Sequence, residues 1–112
     1  MSNIIVEKSE NFAVEIVKLY KYLIKEKNEF ILSKQVLRSG TSIGANIAEG
    51  QRGQSKADFH AKMNIALKEA TETEYWLKLL NKTDYISDES LNILNEQCTE
   101  IIKILISIVK NS

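Results

Sequence analysis

Apolar residues recur at alternating steps of three and four along four separate stretches of this 112-residue chain. That spacing places side chains on one face of an α-helix. In the first stretch they are Ile5, Phe12, Ile16, Leu19 and Leu23, with Ser9 in the vacant slot. The second aligns Val36, Gly40, Ile43 and Ile47, with Gly44 and Ala48 beside them. The third runs Phe59, Met63, Ala66, Ala70, Thr73, Leu77 and Leu80 without a slip, and the fourth Leu91, Leu94, Cys98, Ile101, Leu105 and Ile108. Helices are thus predicted over roughly 4–27, 30–51, 56–81 and 88–110. Strict three-four spacing favours crossing angles of about 20°, and short connections join antiparallel neighbours. The pattern predicts an all-α single domain over residues 1–112, an antiparallel up-down-up-down four-helix bundle.

Local signals mark the boundaries. Lys27-Asn28-Glu29 separates the first pair, with cationic Lys25 and Lys27 suited to a helix C-terminus. Gly50 and Gly53 lie where a C-terminal cap would end the second helix. Ser55 is expected to cap the third, with Asp58 in capping-box position, and Ser87 the fourth. Ile86 and Leu91 flank that last cap as a hydrophobic staple.

Composition adds limits. The absence of proline and the presence of only four glycines permit long helices. A lone Cys98 excludes an internal disulfide and suits a reducing cytoplasm. No apolar leader develops, because Glu7 and Lys8 follow Ile4-Ile5-Val6 at once, and the run from Ile101 to Val109 is broken by Lys103 and too short to span a bilayer. The expectation is a cytoplasmic protein without a membrane partner.

The helices also carry more apolar surface than one bundle needs. Val17, Tyr20 and Ile24 in the first helix, Trp76 in the third, and Ile102, Ile106 and Val109 in the fourth lie off the core stripes. A second apolar stripe marks an interface, so a homo-oligomer is expected. Formal net charge is zero, yet residues 1–56 hold nine Lys/Arg against six Asp/Glu, and residues 57–112 the reverse. The basic excess centres on Lys18, Lys21, Lys25, Lys27, Lys34 and Arg38, the candidate nucleic-acid-binding residues. In one copy such lysines read as a solvated face; around a ring they would multiply phosphate contacts.

Candidate chemistry is sparse. Gly40-Thr41-Ser42-Ile43-Gly44 satisfies the G-x-S-x-G pattern of serine hydrolases, which requires a strand before it and an acid and a histidine later. Its flanks have helical spacing, and the sole histidine, His60, lies 18 positions beyond Ser42. Glu69, Glu72 and Glu74 lack the Glu-x-x-His pairs of bundle metal sites and read instead as ion-pair partners, Lys68 with Glu72 and Lys62 with Glu69. Cys98 reads as a small core residue, and Tyr75 and Trp76 as packing or interface groups. No catalytic, cofactor or metal residue is assigned, and the protein is read as a non-enzyme. One polar row stands out: Ser42, Asn46 and Glu49 share a helix face with Arg38 one turn before, flanked by Gly40, Gly44 and Ala48. It marks a tight helix contact, within the bundle or between subunits.

These residues carry a family resemblance. The run Gln35-Val36-Leu37-Arg38-Ser39-Gly40-Thr41-Ser42-Ile43-Gly44-Ala45-Asn46-Ile47-Ala48-Glu49 resembles the hallmark of bacterial four-helix bundle proteins, also called 23S rRNA intervening-sequence proteins. A second block is Asp58-Phe59, Ile65-Ala66-Leu67-Lys68-Glu69-Ala70 and Glu72-Thr73-Glu74-Tyr75-Trp76-Leu77. Gly50 departs from the family's usual alanine, which implies an effect only on how the helix ends. The resemblance implies an antiparallel four-helix bundle assembling as a homopentamer. It implies a gene neighbourhood rather than an activity: some members are encoded inside sequences inserted into the large ribosomal RNA gene. Related proteins are accessory factors of diversity-generating retroelements, whose basic pentamer engages nucleic acid and a reverse transcriptase. The expected function is therefore a non-enzymatic oligomeric accessory protein binding RNA or other nucleic acid. The alternative is a protein–protein scaffold whose partner is encoded nearby.

Overall fold

The computed structural model describes residues 3–111. They form four helices, α1 Ile4–Glu26, α2 Leu32–Gln51, α3 Lys56–Lys82 and α4 Asp88–Asn111, and among the described residues no strand. The helices lie side by side in a body of 44 × 20 × 20 Å. A helix of 23 residues is about 35 Å long, so each must run along the long axis. Neighbouring pairs are α1 with α2, α2 with α3, α3 with α4, and α4 with α1.

The periodic stripes meet in the centre. Phe12, Ile16 and Leu23 of α1, Val36, Ile43 and Ile47 of α2, Met63, Leu77 and Leu80 of α3, and Ile101 and Leu105 of α4 are all essentially inaccessible. Removing this apolar surface from water is the principal driving force of the fold. Several small polar groups, Ser9, Ser33, Ser39, Thr73 and Cys98, share the interior. Ser9 hydrogen-bonds the Val6 carbonyl at 3.0 Å, so its hydroxyl is satisfied within its own helix. Thr73 Oγ1 lies 2.8 Å from both Ser39 Oγ and the Glu69 carbonyl, and Ser39 is as deeply buried as Thr73. Cys98 Sγ lies 3.3 Å from the Ala70 carbonyl. Burial, aided by the negative charge of Glu74, pushes the Cys98 thiol up to about 12.

Two glycines of α2 approach neighbouring helices closely, and Gly40 sets the spacing. A Cβ at Gly40 would stand 2.8 Å from both γ carbons of Ile16, whose β-branched side chain has no freedom to swing away. A Cβ at Gly50 would meet Met63 Cε at 2.5 Å and Lys62 Cβ at 3.1 Å. Gly44 differs: its Cβ would lie 3.5 Å from the Ser9 carbonyl oxygen, an ordinary contact. Ala48, expected on the same strip, is exposed.

The helix ends divide into expected and unexpected. Ser55 Oγ accepts the Asp58 N–H and Ser87 Oγ the Ser90 N–H, each at 3.1 Å. Ile86 is buried, and Leu91 packs against the core. Gly50 and Gly53, however, are not left-handed caps: neither has positive φ, and α2 closes through Arg52 at φ −106°. Gly50 is a packing residue instead, so its departure from alanine bears on the α2–α3 contact as well as on the helix end. The left-handed residues are Asn28 (φ 52°) and Asp84 (φ 68°), in the α1–α2 and α3–α4 turns. α2 begins at Leu32, two residues later than periodicity placed it, because Glu29 supplies the cap. Its buried carboxylate accepts N–H bonds from Ser33 at 2.7 Å, Leu32 at 3.1 Å and Ile31 at 3.4 Å. A negative charge at a helix N-terminus is stabilising. The Glu29 N–H in turn closes α1 by bonding the Leu23 carbonyl at 3.0 Å.

These contacts give two glycine substitutions opposite signs. Gly40→Ala is expected to cost about 1–3 kcal/mol through overpacking against Ile16. Gly44→Ala is expected to gain up to about 1 kcal/mol, because its Cβ finds room and alanine is the better helix former. Urea denaturation of the two variants checks the contrast.

Candidate nucleic-acid interface and the polar face of α2

Helical spacing puts Lys18, Lys21 and Lys25 on the outer side of α1, all exposed. Lys27 follows in the turn, and Lys34 stands exposed in the first turn of α2. Lys18 pairs with Glu15 at 3.4 Å across one turn, a contact of little strength in water. The five lysines therefore keep their charges at the surface, distributed along α1 and around the α1–α2 turn.

Arg38 does not join them. Its guanidinium reaches across to α3, where Nη1 donates to Glu69 Oε1 at 3.1 Å and Nη2 to Glu72 Oε2. The hydrogen bond to Glu72 raises the arginine's already high pKa further, desolvation opposes it, and the Glu69 hydrogen bond and both carboxylate charges add to the rise. Sequence spacing groups Arg38 with the lysines, because its partners lie more than 30 residues away, beyond any helix-spacing rule. Glu69 and Glu72 also leave the local pairs expected for them: Lys62 bonds Glu49 of α2 at 2.7 Å instead of Glu69, and Glu72 takes Arg38 rather than Lys68.

The rest of the polar row is likewise used within the chain. Asn46 Nδ2 donates to the Ser42 carbonyl at 2.8 Å, and Glu49 holds Lys62. With Arg38 on Glu69 and Glu72, the row ties α2 to α3. Ser42 sits in the middle of α2, so the G-x-S-x-G match has none of the strand–turn–helix context a nucleophile needs. Glu74 Oε2 accepts from Thr99 Oγ1 at 3.2 Å. Among the described residues no three His, Cys, Asp or Glu side chains converge to hold a metal ion, and no helix is long and apolar enough to cross a membrane.

Glu72 is also joined to Trp76, whose indole N–H donates to Oε2 at 2.9 Å. That bond, followed by the one from Arg38, holds the Glu72 carboxyl below its usual 4.5. Tyr75 meets Trp76 edge to face at 5.0 Å, its own ring mostly exposed.

The expected interface residues fall into two groups. Trp76, Ile102 and Val109 are half-buried and packed on the core, and Val17, Tyr20 and Ile24 are half-buried on α1; Ile106 alone of the set is exposed, at 49%. Other apolar groups escaped notice. Phe30 and Ile31 are 53% and 75% exposed at the α1–α2 turn, whereas an apolar pair following a break predicts the start of a helix. Tyr22 and Ile93 line an open groove of about 350 Å³ between α1 and α4, floored by Leu19, Ile86 and Leu94.

The Glu72–Trp76 bond makes the chain's single tryptophan a reporter of that carboxylate. A depressed carboxyl stabilises the fold above its unfolded value and loses that contribution as pH falls through its folded value. Trp76 emission is therefore expected to change with a midpoint below pH 4.5, and Glu72→Gln is expected to abolish the transition while leaving the helical content at neutral pH unchanged.

Comparison with known proteins follows the same outline. The family model described as 23S rRNA-intervening sequence protein matches residues 1–107. A crystal structure of a protein of unknown function from the S23 ribosomal protein family of Bacteroides thetaiotaomicron VPI-5482 superposes with a TM-score of 0.95. It shares 60% identity, with 96% of each chain covered. No curated protein matches the chain.

Proposed function

The chain belongs to the 23S rRNA-intervening sequence protein family, and from that premise we propose that it is a non-enzymatic, oligomeric accessory protein that binds RNA associated with such intervening sequences. The observation that carries this reading is the surface of exposed lysines, Lys18, Lys21, Lys25, Lys27 and Lys34, on a chain whose family is named for an RNA insertion. Arg38 contributes to the bundle rather than to the RNA. The cytoplasm, where ribosomal RNA is found, is the matching location.

We infer, too, that the four helices run up-down-up-down as an antiparallel bundle. Contacts pair rising with falling numbers: Gly40 opposes Ile16 and Gly44 opposes Ser9, while Arg38 reaches Glu72 and Glu49 reaches Lys62. A homopentamer, as the family resemblance implies, would repeat the lysine surface around a ring. Salt-sensitive avidity would then come from many individually weak phosphate contacts. The exposed Ile106 and the half-buried Val17, Tyr20 and Ile24 offer apolar surface for subunit contact. The alternative, a protein scaffold with a partner encoded nearby, draws support from the exposed Tyr75 and Ile93. Nuclease treatment before a pull-down separates the two, since a protein partner stays bound.

Labelled structured RNA titrated at about 50 and 200 mM salt tests the RNA reading. Binding is expected at the lower salt, severalfold weaker at the higher, and weaker again in a Lys21→Glu/Lys25→Glu variant; no binding at the lower salt defeats the reading. Ile106→Glu is expected to leave the far-ultraviolet circular dichroism unchanged while lowering the sedimentation mass. An unchanged mass would remove Ile106 from the subunit interface.

A further inference from the structure

The turn between α1 and α2 is built more firmly than a connecting loop requires. Asn28 takes the left-handed conformation. The Glu29 N–H closes α1 on the Leu23 carbonyl, and the Glu29 carboxylate caps α2 through three N–H groups. Both ends of the turn are thereby fixed to the two helices. What this frame displays is Phe30 and Ile31, with about half and three-quarters of their surfaces in water.

In the chain, Phe30 is flanked by exposed cations. Lys25 and Lys27 precede it, Lys34 follows one helical turn into α2, and none of the three makes an ion pair within 4.0 Å among the described residues. The nearest acid in sequence, Glu29, is occupied by its N–H bonds and buried. Glu26 on α1 and the neighbouring α3–α4 turn, whose Asp84 and Asp88 line a shallow pocket with Lys27, bring acids to the Lys27 side. Lys25 and Lys34 are therefore the cations that most favour an anionic partner here.

Resting on the RNA reading above, we propose that this turn is where single-stranded RNA is held, an unpaired base stacking on the Phe30 ring with its flanking phosphates on Lys25 and Lys34. An exposed aromatic on a rigid frame beside unpaired lysines is the combination that single-strand binders use, because every base has a π-face and every phosphate a charge. A duplex keeps its bases stacked inside and cannot use the ring. An anionic membrane would also attract these lysines, but two apolar residues at one turn offer little area to insert, which favours the nucleotide.

Fluorescently labelled oligouridylate and a labelled RNA duplex of equal length, titrated at about 50 mM salt against the full chain, test this. Phe30→Ala is expected to weaken oligouridylate binding about tenfold, with duplex binding unchanged and helical content intact. Phe30→Trp is expected to restore affinity, and quenching of the new indole by oligouridylate would report the stack directly. Lys34→Glu is expected to weaken both ligands and to flatten their salt dependence. Three results overturn the proposal. Equal oligouridylate affinity in Phe30→Ala and parent removes the turn while leaving the RNA reading intact. Failure of the parent to bind either RNA removes both. Phe30-dependent sedimentation with phosphatidylserine vesicles, alongside Phe30-independent RNA binding, assigns the turn to membranes instead.

Discussion

The distance of α2 from α1 is the constraint on which the rest of the molecule depends, and it is set by a missing side chain. At Gly40 the backbone of α2 lies against the stiff Ile16 side chain of α1, whereas a Cβ at Gly50 would meet the flexible end of Met63 and press Lys62 Cβ by a few tenths of an ångström. Glycine in a helix interior costs about 1 kcal/mol relative to alanine. Here the cost is offset by contact between surfaces that a Cβ would hold apart. Ser9 belongs to the same arrangement: a small residue in a slot that periodicity reserves for a large one, with Gly44 opposite. Ile43 and Ile47, on the same helix, are both fully buried in the centre.

Close approach also decides what the polar residues do. Ser39 and Thr73 meet inside the α2–α3 contact, and because Thr73 is also held by the Glu69 carbonyl of its own helix, a slip of one helix along the other by a turn would strand the Ser39 hydroxyl in apolar surroundings, at about 1–3 kcal/mol. On the outer side of the same contact Arg38 spans Glu69 and Glu72, and Lys62 reaches Glu49. Partly exposed pairs of this kind add little energy individually. Their value lies in agreeing with the buried pair on a single register. The residues that look most like a catalytic loop in the linear sequence are, in three dimensions, the fittings of a helix joint.

Helix identity was legible in the sequence because core residues repeat at three and four, and every position on the α1 stripe, including Ser9, proved buried. Two N-caps were legible because Ser55 and Ser87 act within three residues of themselves. Features that depend on distant residues were not. Arg38 meets Glu69 and Glu72 only once α2 and α3 pack, and Gly50 serves a contact with Met63 rather than a left-handed turn. Glu29 escaped for another reason: a carboxylate two to four residues ahead of the N–H groups it caps does not fit the Ser/Thr/Asp/Asn pattern. Of the candidate interface, the lysines were legible as exposed helix positions, whereas the exposure of Phe30 and Ile31 follows from the delayed start of α2. An apolar pair adjoining a helix gives no sign in one dimension of whether it faces inward or outward.

Cys98 carries a different consequence. Burial pushes its thiol up and disfavours the thiolate, and the sulfur is enclosed between α4 and the Ala70 carbonyl of α3. Alkylating reagents and peroxide can therefore reach it only when α4 parts from α3. The single sulfhydryl is a built-in latch indicator: the rate at which it becomes modified counts the openings of the bundle, whatever the molecule is bound to at the time.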